Sequence, residues 1–129
     1  MGEATHHEIV IKRQLEAVAE VRRFIRLTLG RWGMEDYNPC LVASELVTNA
    51  IRYASTDDDE VTVRLGLLGD GALWLEVQDS SSEIPRIVDV ALTSGSGRGL
   101  FVVEQFTRYW GVRPLDDRGG KVVFAVLNP

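Results

Sequence analysis

Between residues 61 and 79 the chain takes up a period that admits few folds. Val61, Val63, Leu65 and Leu67 alternate with Thr62, Arg64 and Gly66, "GDG" at 69–71 reverses direction, and Leu73, Leu75 and Val77 resume the alternation. Successive side chains of a strand point to opposite faces, so this pattern predicts an antiparallel hairpin with one apolar face. Such a face has to be buried against a second layer. Asp79 shares the parity of Leu73, Leu75 and Val77, and a carboxylate therefore closes a row aimed at the core. Trp74 has the opposite parity and is expected on an exposed or partner-covered face.

The flanking segments can supply the second layer. Residues 14–29, "QLEAVAEVRRFIRLTL", place Val18, Val21, Ile25 and Leu29 at helical spacing, and Gly30 is expected to end that helix. A second helix is expected to about Ala54, with Asn38 as N-cap and Pro39 at the first helical position. "EIVIK" at 8–12 reads as a short strand before both. After the hairpin, residues 80–97 hold serines, Pro85 and glycines around a weakly apolar stretch, a loop with a short helix inside it. Helical spacing returns from Arg98 with Leu100, Val103 and Phe106. "RYWGVRP" and "KVVFAVL", joined by "LDDRGG", read as a last pair of strands. The order β-α-α-β-β-loop-α-β-β predicts an α+β fold. We expect a two-layer sandwich, its mixed, mostly antiparallel sheet covered by helices on one face, rather than a doubly wound sheet.

Composition narrows the function classes. A chain of 129 residues, 45% of them hydrophobic, supports one ordinary core, so a single domain over residues 1–129 is expected, with residues 1–7 as a flexible leader. The net charge of −5 argues against a general affinity for nucleic acid or anionic lipid and points to protein or small-molecule partners. No apolar stretch has the length of a membrane helix, and the single cysteine, Cys40, has no internal disulfide partner. Both features are those of a soluble, cytoplasmic protein. His6 and His7 lack a third ligand at metal spacing.

Four places can carry chemistry. In the helix containing "ELVTNAIRYA" (45–54), Val42, Leu46, Ala50 and Tyr53 make a core face, and the adjacent stripe carries Glu45, Asn49 and Arg52. A solvated stripe accounts for Glu45 and Arg52, but Asn is a poor residue for a helix interior, costing a few tenths of a kcal/mol more than Lys or Gln. A single amide carbonyl does suit Mg²⁺, which keeps most of its ligands as water and phosphate oxygens. "SGSGRGL" at 94–100 sets Gly95, Gly97 and Gly99 before a helix start, where exposed N–H groups favour phosphate. The same glycines also suit an ordinary capped loop, and the Lys-Ser or Lys-Thr of a P-loop is missing. Asp79, with "SSS" behind it, can accept a hydrogen bond from an exocyclic amine and so discriminate a base by its edge. An aspartate there more often just starts a turn. Lys121, in "DRGGKVV", reads as a solvated charge on an edge strand.

In this order the four places resemble the N-box and glycine boxes of the Bergerat-fold ATPases. "SELVTNAIRYA", "LEVQDSS", "GSGRGLFVVEQFTRYWGV" and "GGKVVFAVL" are similar to the bacterial anti-sigma-factor serine kinases of the SpoIIAB/RsbW type, a likeness running from about residue 10 to residue 127. The resemblance implies ATP and Mg²⁺ as cofactors. It implies Glu45 as the catalytic base, Asn49 as the metal ligand, Arg52 facing phosphate, and Asp79 reading adenine. Gly97, Arg98, Gly99 and Leu100 would lie at the phosphates, with residues 83–97 as a lid. The implied activity is phosphorylation of an anti-anti-sigma factor together with sequestration of a sigma factor, and a homodimer is compatible with it. The alternative is a regulatory binding module, nucleotide-binding or degenerate, that keeps the fold without kinase turnover.

Three places depart from the family pattern. Ser80, Ser81 and Ser82 stand where glycine is usual, Val122 follows Gly120-Lys121 where relatives often carry threonine near the adenine, and Tyr53 stands where histidine is frequent. All three bear on nucleotide affinity rather than on fold.

Overall fold

The computed structural model describes residues 7–53, 60–80, 103–115 and 120–129. Their elements, in chain order, are β1 (His7–Lys12), α1 (Ala17–Arg31), α2 (Tyr37–Tyr53), β2 (Glu60–Leu67), β3 (Leu73–Asp79), β4 (Tyr109–Pro114) and β5 (Lys121–Leu127). Residues 103–106 form a helical turn ahead of β4. The five strands make one sheet in the order β1-β2-β3-β5-β4, with every neighbouring pair antiparallel. Both helices pack on one face, which gives the expected two-layer α+β sandwich.

The period-two segment forms the expected hairpin, with Val63 opposite Val77, Leu65 opposite Leu75, and Leu67 opposite Leu73. The turn is closed by the Gly71 N–H donating to Leu68 O at 2.9 Å and by the Ala72 N–H donating to Asp70 Oδ1 at 3.0 Å. Its apolar row, Val61, Val63, Leu65, Leu73, Leu75 and Val77, meets Val21, Ile25 and Leu29 of α1 and Val42, Leu46 and Val47 of α2 in one core. Burying each such side chain contributes about 1.5–3 kcal/mol, so the alternation fixes which face of the sheet the helices cover. Trp74, on the other parity, is exposed.

Three local expectations are corrected. Helix α1 does not stop at Gly30 but continues to Arg31. Gly33 ends it, at φ +68°, with the Met34 N–H donating to Leu29 O at 2.9 Å and the Gly33 N–H to Gly30 O at 3.2 Å. This bond pair needs a left-handed residue two positions beyond the last helical one, a conformation that glycine adopts without strain. Helix α2 starts at Tyr37, one residue before Asn38, because the Cys40 N–H already donates to Asp36 O at 2.9 Å. Pro39 lies inside the first turn, where its missing N–H breaks no bond. His7 belongs to β1, opposite Leu65, with its ring 5.5 Å from that of Trp32, and is therefore not part of a free leader.

Three polar contacts fix α2 in place. Arg22 Nε donates to Ser44 Oγ at 2.9 Å, and Cys40 Sγ donates to Arg22 O at 3.8 Å. Arg13 Nε donates to Ile51 O at 2.9 Å, satisfying a carbonyl in the last helical turn. Burial, and then the nearby Asp36 charge, pushes the Cys40 thiol above its ordinary pKa and keeps it protonated. That matches a packing role.

Candidate functional site

Helix α2 sets Glu45, Asn49 and Arg52 along one line, and burial separates them. Glu45 is half-buried, Asn49 is buried at 9% exposure, and Arg52 is exposed. Asn49 is thus not part of a solvated stripe. Its Nδ2 is shielded from water and has no hydrogen-bond partner among the described residues. Leaving such a group unpaired costs about 1–3 kcal/mol. The two ends of an amide have nearly the same shape, so the finding is one unpaired end of a buried amide, as donor or, after a flip, as acceptor. Either orientation is chemically compatible with magnesium-bound phosphate: a carbonyl oxygen would suit the metal, and an amide N–H a phosphate oxygen.

Asp79 ends β3 on the helix-covered face and is 4% exposed. Its cross-strand partner is Lys121, the first residue of β5. Lys121 Nζ donates to Asp79 Oδ1 at 3.0 Å, and the two side chains are 5% and 1% exposed. Lys121 is therefore a buried cation and not a solvated edge charge. The strand order decides this, because β5 lies between β3 and β4, and parity puts Lys121 on the same side as Val123, Ala125 and Leu127. Gly120 brings the strand ends together. It sits at φ +92°, and a Cβ there would lie 2.6 Å from the Asp79 carbonyl oxygen, so no other residue fits without moving backbone.

The same register reassigns one departure. Val122 pairs with Gln78 on the opposite face of the sheet, so the residue beside Asp79 is Lys121. The sequence marked Lys121 only as a solvated charge, and it did not single out Gly120. The available signal was the inward parity of Asp79, which asks for a partner on the neighbouring strand. Gly97, Arg98, Gly99, Leu100 and the segment 83–97 lie outside the described residues, as do Ser81 and Ser82; Ser80 is exposed. A cavity of about 700 Å³ lies at the other end of β3, among Met34, Tyr37, Leu73, Phe106 and Leu127, and no candidate residue lines it.

The structure is thus a two-layer α+β sandwich with a buried amide on α2 and a buried carboxylate at the end of β3. The chain matches the model of the histidine kinase-like ATPase domain over residues 11–126 and belongs to that family. No curated protein sequence matches it. Among solved structures it is similar to the RsbU and RsbW domains of Rv1364c from Mycobacterium tuberculosis, with a TM-score of 0.72 and 19% identity over 95% of this chain and 32% of that one. It is also similar to the histidine kinase domain from the Erythrobacter litoralis EL346 blue-light activated histidine kinase, with a TM-score of 0.52 and 18% identity over 91% of this chain and 61% of that one. These likenesses are of fold, and the chain spans 32% and 61% of the two structures' own lengths. No helix among the described residues is long and apolar enough to cross a membrane.

Proposed function

We infer that the protein is an ATP- and Mg²⁺-dependent protein-serine kinase of the anti-sigma-factor type, which phosphorylates an anti-anti-sigma partner and sequesters a sigma factor. One observation carries the reading: the unpaired end of the buried Asn49 amide, one helical turn from the half-buried Glu45. Bound Mg·ATP supplies the phosphoryl group and neutralises the charge that develops on it. Asn49 holds the metal or its phosphate through the amide. Glu45 accepts the proton of the incoming serine hydroxyl. Arg52 continues the line as a cation facing phosphate, Asp79 accepts from the adenine amine, and Gly97, Arg98, Gly99 and Leu100 lie along the phosphates. Catalysis of this kind is positioning and electrostatics more than covalent chemistry, which suits a small site with few polar groups. The likeness of fold to a chain with an RsbW domain supports this choice of partners.

Transfer of label from γ-labelled ATP to a cognate partner tests the reading. Wild type is expected to label it, and Glu45→Ala and Asn49→Ala to lose at least about 100-fold in rate. Asn49→Ala removes an unpaired polar atom and improves helix propensity, so the nucleotide-free variant should stay within about 1 kcal/mol of wild-type stability. Calorimetry with ATP, with and without Mg²⁺, separates the alternatives. Binding without transfer to any cognate partner leaves a regulatory nucleotide-binding module, and absence of binding leaves only a degenerate module that regulates by association.

A further inference from the structure

We propose that Lys121 belongs to the base-recognition element: with Asp79 it reads the edge of adenine, the carboxylate accepting from the 6-amino group and the ammonium donating to the adjacent ring nitrogen, N1. The inference rests on the nucleotide-binding reading above and deepens it by assigning a specificity-determining residue.

Placement is the first argument. Asp79 and Lys121 are direct cross-strand partners on the helix-covered face, joined at 3.0 Å and 1% and 5% exposed. Gly120, whose hydrogen the Asp79 carbonyl closely abuts, seats the start of β5 against the end of β3. The two charged ends are therefore placed by backbone rather than by loose side chains.

Energetics is the second. Along the same row the cross-strand pairs are apolar: Leu73 with Leu127, Leu75 with Ala125, and Val77 with Val123. Another apolar pair would finish the row more cheaply, since removing two charges from water usually offsets what their attraction returns. Stability alone does not call for an ion pair at this position. Recognition does.

Chemistry is the third. A lone carboxylate only accepts, so it recognises an amine without regard to what stands beside it. A carboxylate with an ammonium next to it presents an acceptor and a donor side by side. Adenine presents the complement, an amine beside an unprotonated ring nitrogen. A 6-oxo purine reverses both polarities and sets a carbonyl against the carboxylate and an N–H against the ammonium. In a site removed from water, unmatched groups of this kind discriminate strongly. A carboxylate accepts several hydrogen bonds and an ammonium donates three, so a bond from each to a base edge lies within their chemistry.

The test compares ATP with 1-deaza-ATP, in which C–H replaces N1, by calorimetry with Mg²⁺ on the full chain and on its Lys121→Met and Lys121→Thr variants. Wild type is expected to bind ATP at least about tenfold tighter than 1-deaza-ATP, the size of a hydrogen bond to a charged group, and the ratio should fall to near one in the variants. Lys121→Thr keeps a hydroxyl to donate to Asp79 and guards against loss of folding in the methionine variant, while the wild-type comparison needs no variant. A merely structural pair would weaken both nucleotides in parallel and leave the ratio at its wild-type value, which overturns the proposal. Equal binding of the two by wild type also overturns it, with the nucleotide-binding reading left standing. Failure of wild type to bind either nucleotide overturns both.

Discussion

Strand β3 carries two buried carboxylates three residues apart, Glu76 on the open face of the sheet and Asp79 on the helix-covered face, and their partners differ in kind. Glu76, 7% exposed, has Arg64 Nη1 at 3.2 Å from Oε1 and Arg113 Nη2 at 3.7 Å from Oε2. Arg64 also reaches Glu8 Oε1 and Gln78 Oε1, both at 3.1 Å, so this network crosses the sheet from β1 to β4. Its two arginine side chains are 26% and 56% exposed, within reach of water and salt. Asp79 instead has a lysine that is almost wholly enclosed. A guanidinium is a rigid fork that ties several acceptors together, whereas an ammonium is a compact charge with donors that can turn toward a new partner. The first site ties strands together, and the second is the one proposed above to meet a ligand.

Removing one charge from each site is the sharpest way to break that comparison. Lys121→Met removes the ammonium that donates to buried Asp79 and is expected to lose about 3–5 kcal/mol in urea unfolding. Asp79→Leu with Lys121→Met should recover most of the loss, since an apolar pair continues the row. A double variant as unstable as the single one would mean that the fold itself needs the pair. Glu76→Gln, whose partners are partly solvated, is expected to lose only about 1 kcal/mol, and the loss should shrink as salt is raised, whereas that of Lys121→Met should not. The smallest effect belongs to Asp70, an exposed reference charge at the hairpin turn. The Ala72 N–H first, and then Arg108, hold its carboxyl below the ordinary value of 3.8. Its folded pKa is depressed, so its contribution is present above the unfolded pKa and is lost as pH falls through the folded one. The stability gap between wild type and Asp70→Asn should therefore close in acid below about pH 4, as thermal melts across that range would show.

Much of the architecture was legible in the sequence because it is written in local periods. The alternation at 61–77 identified the hairpin and its inward face, and the spacing of Val42, Leu46 and Ala50 identified the buried face of α2. Asn49 stood out because its side chain is poorly suited to a helix interior, and its burial with an unpaired end gives that oddity a physical meaning. Helix ends were less legible. Gly30 and Gly33 look alike in the sequence, but only the second needs a positive φ.

The chain's own pattern determined its elements, their order, the layer they build, and the inward aim of Asp79. Tertiary structure alone decided that β5 runs between β3 and β4, that Gly120 abuts Asp79, and that Lys121 rather than Val122 meets the carboxylate. The reason is that strand neighbours and register are long-range choices. In "KVVFAVL" every residue after the lysine is apolar, so a period of two leaves no mark, and only pairing with β3 tells the two faces apart.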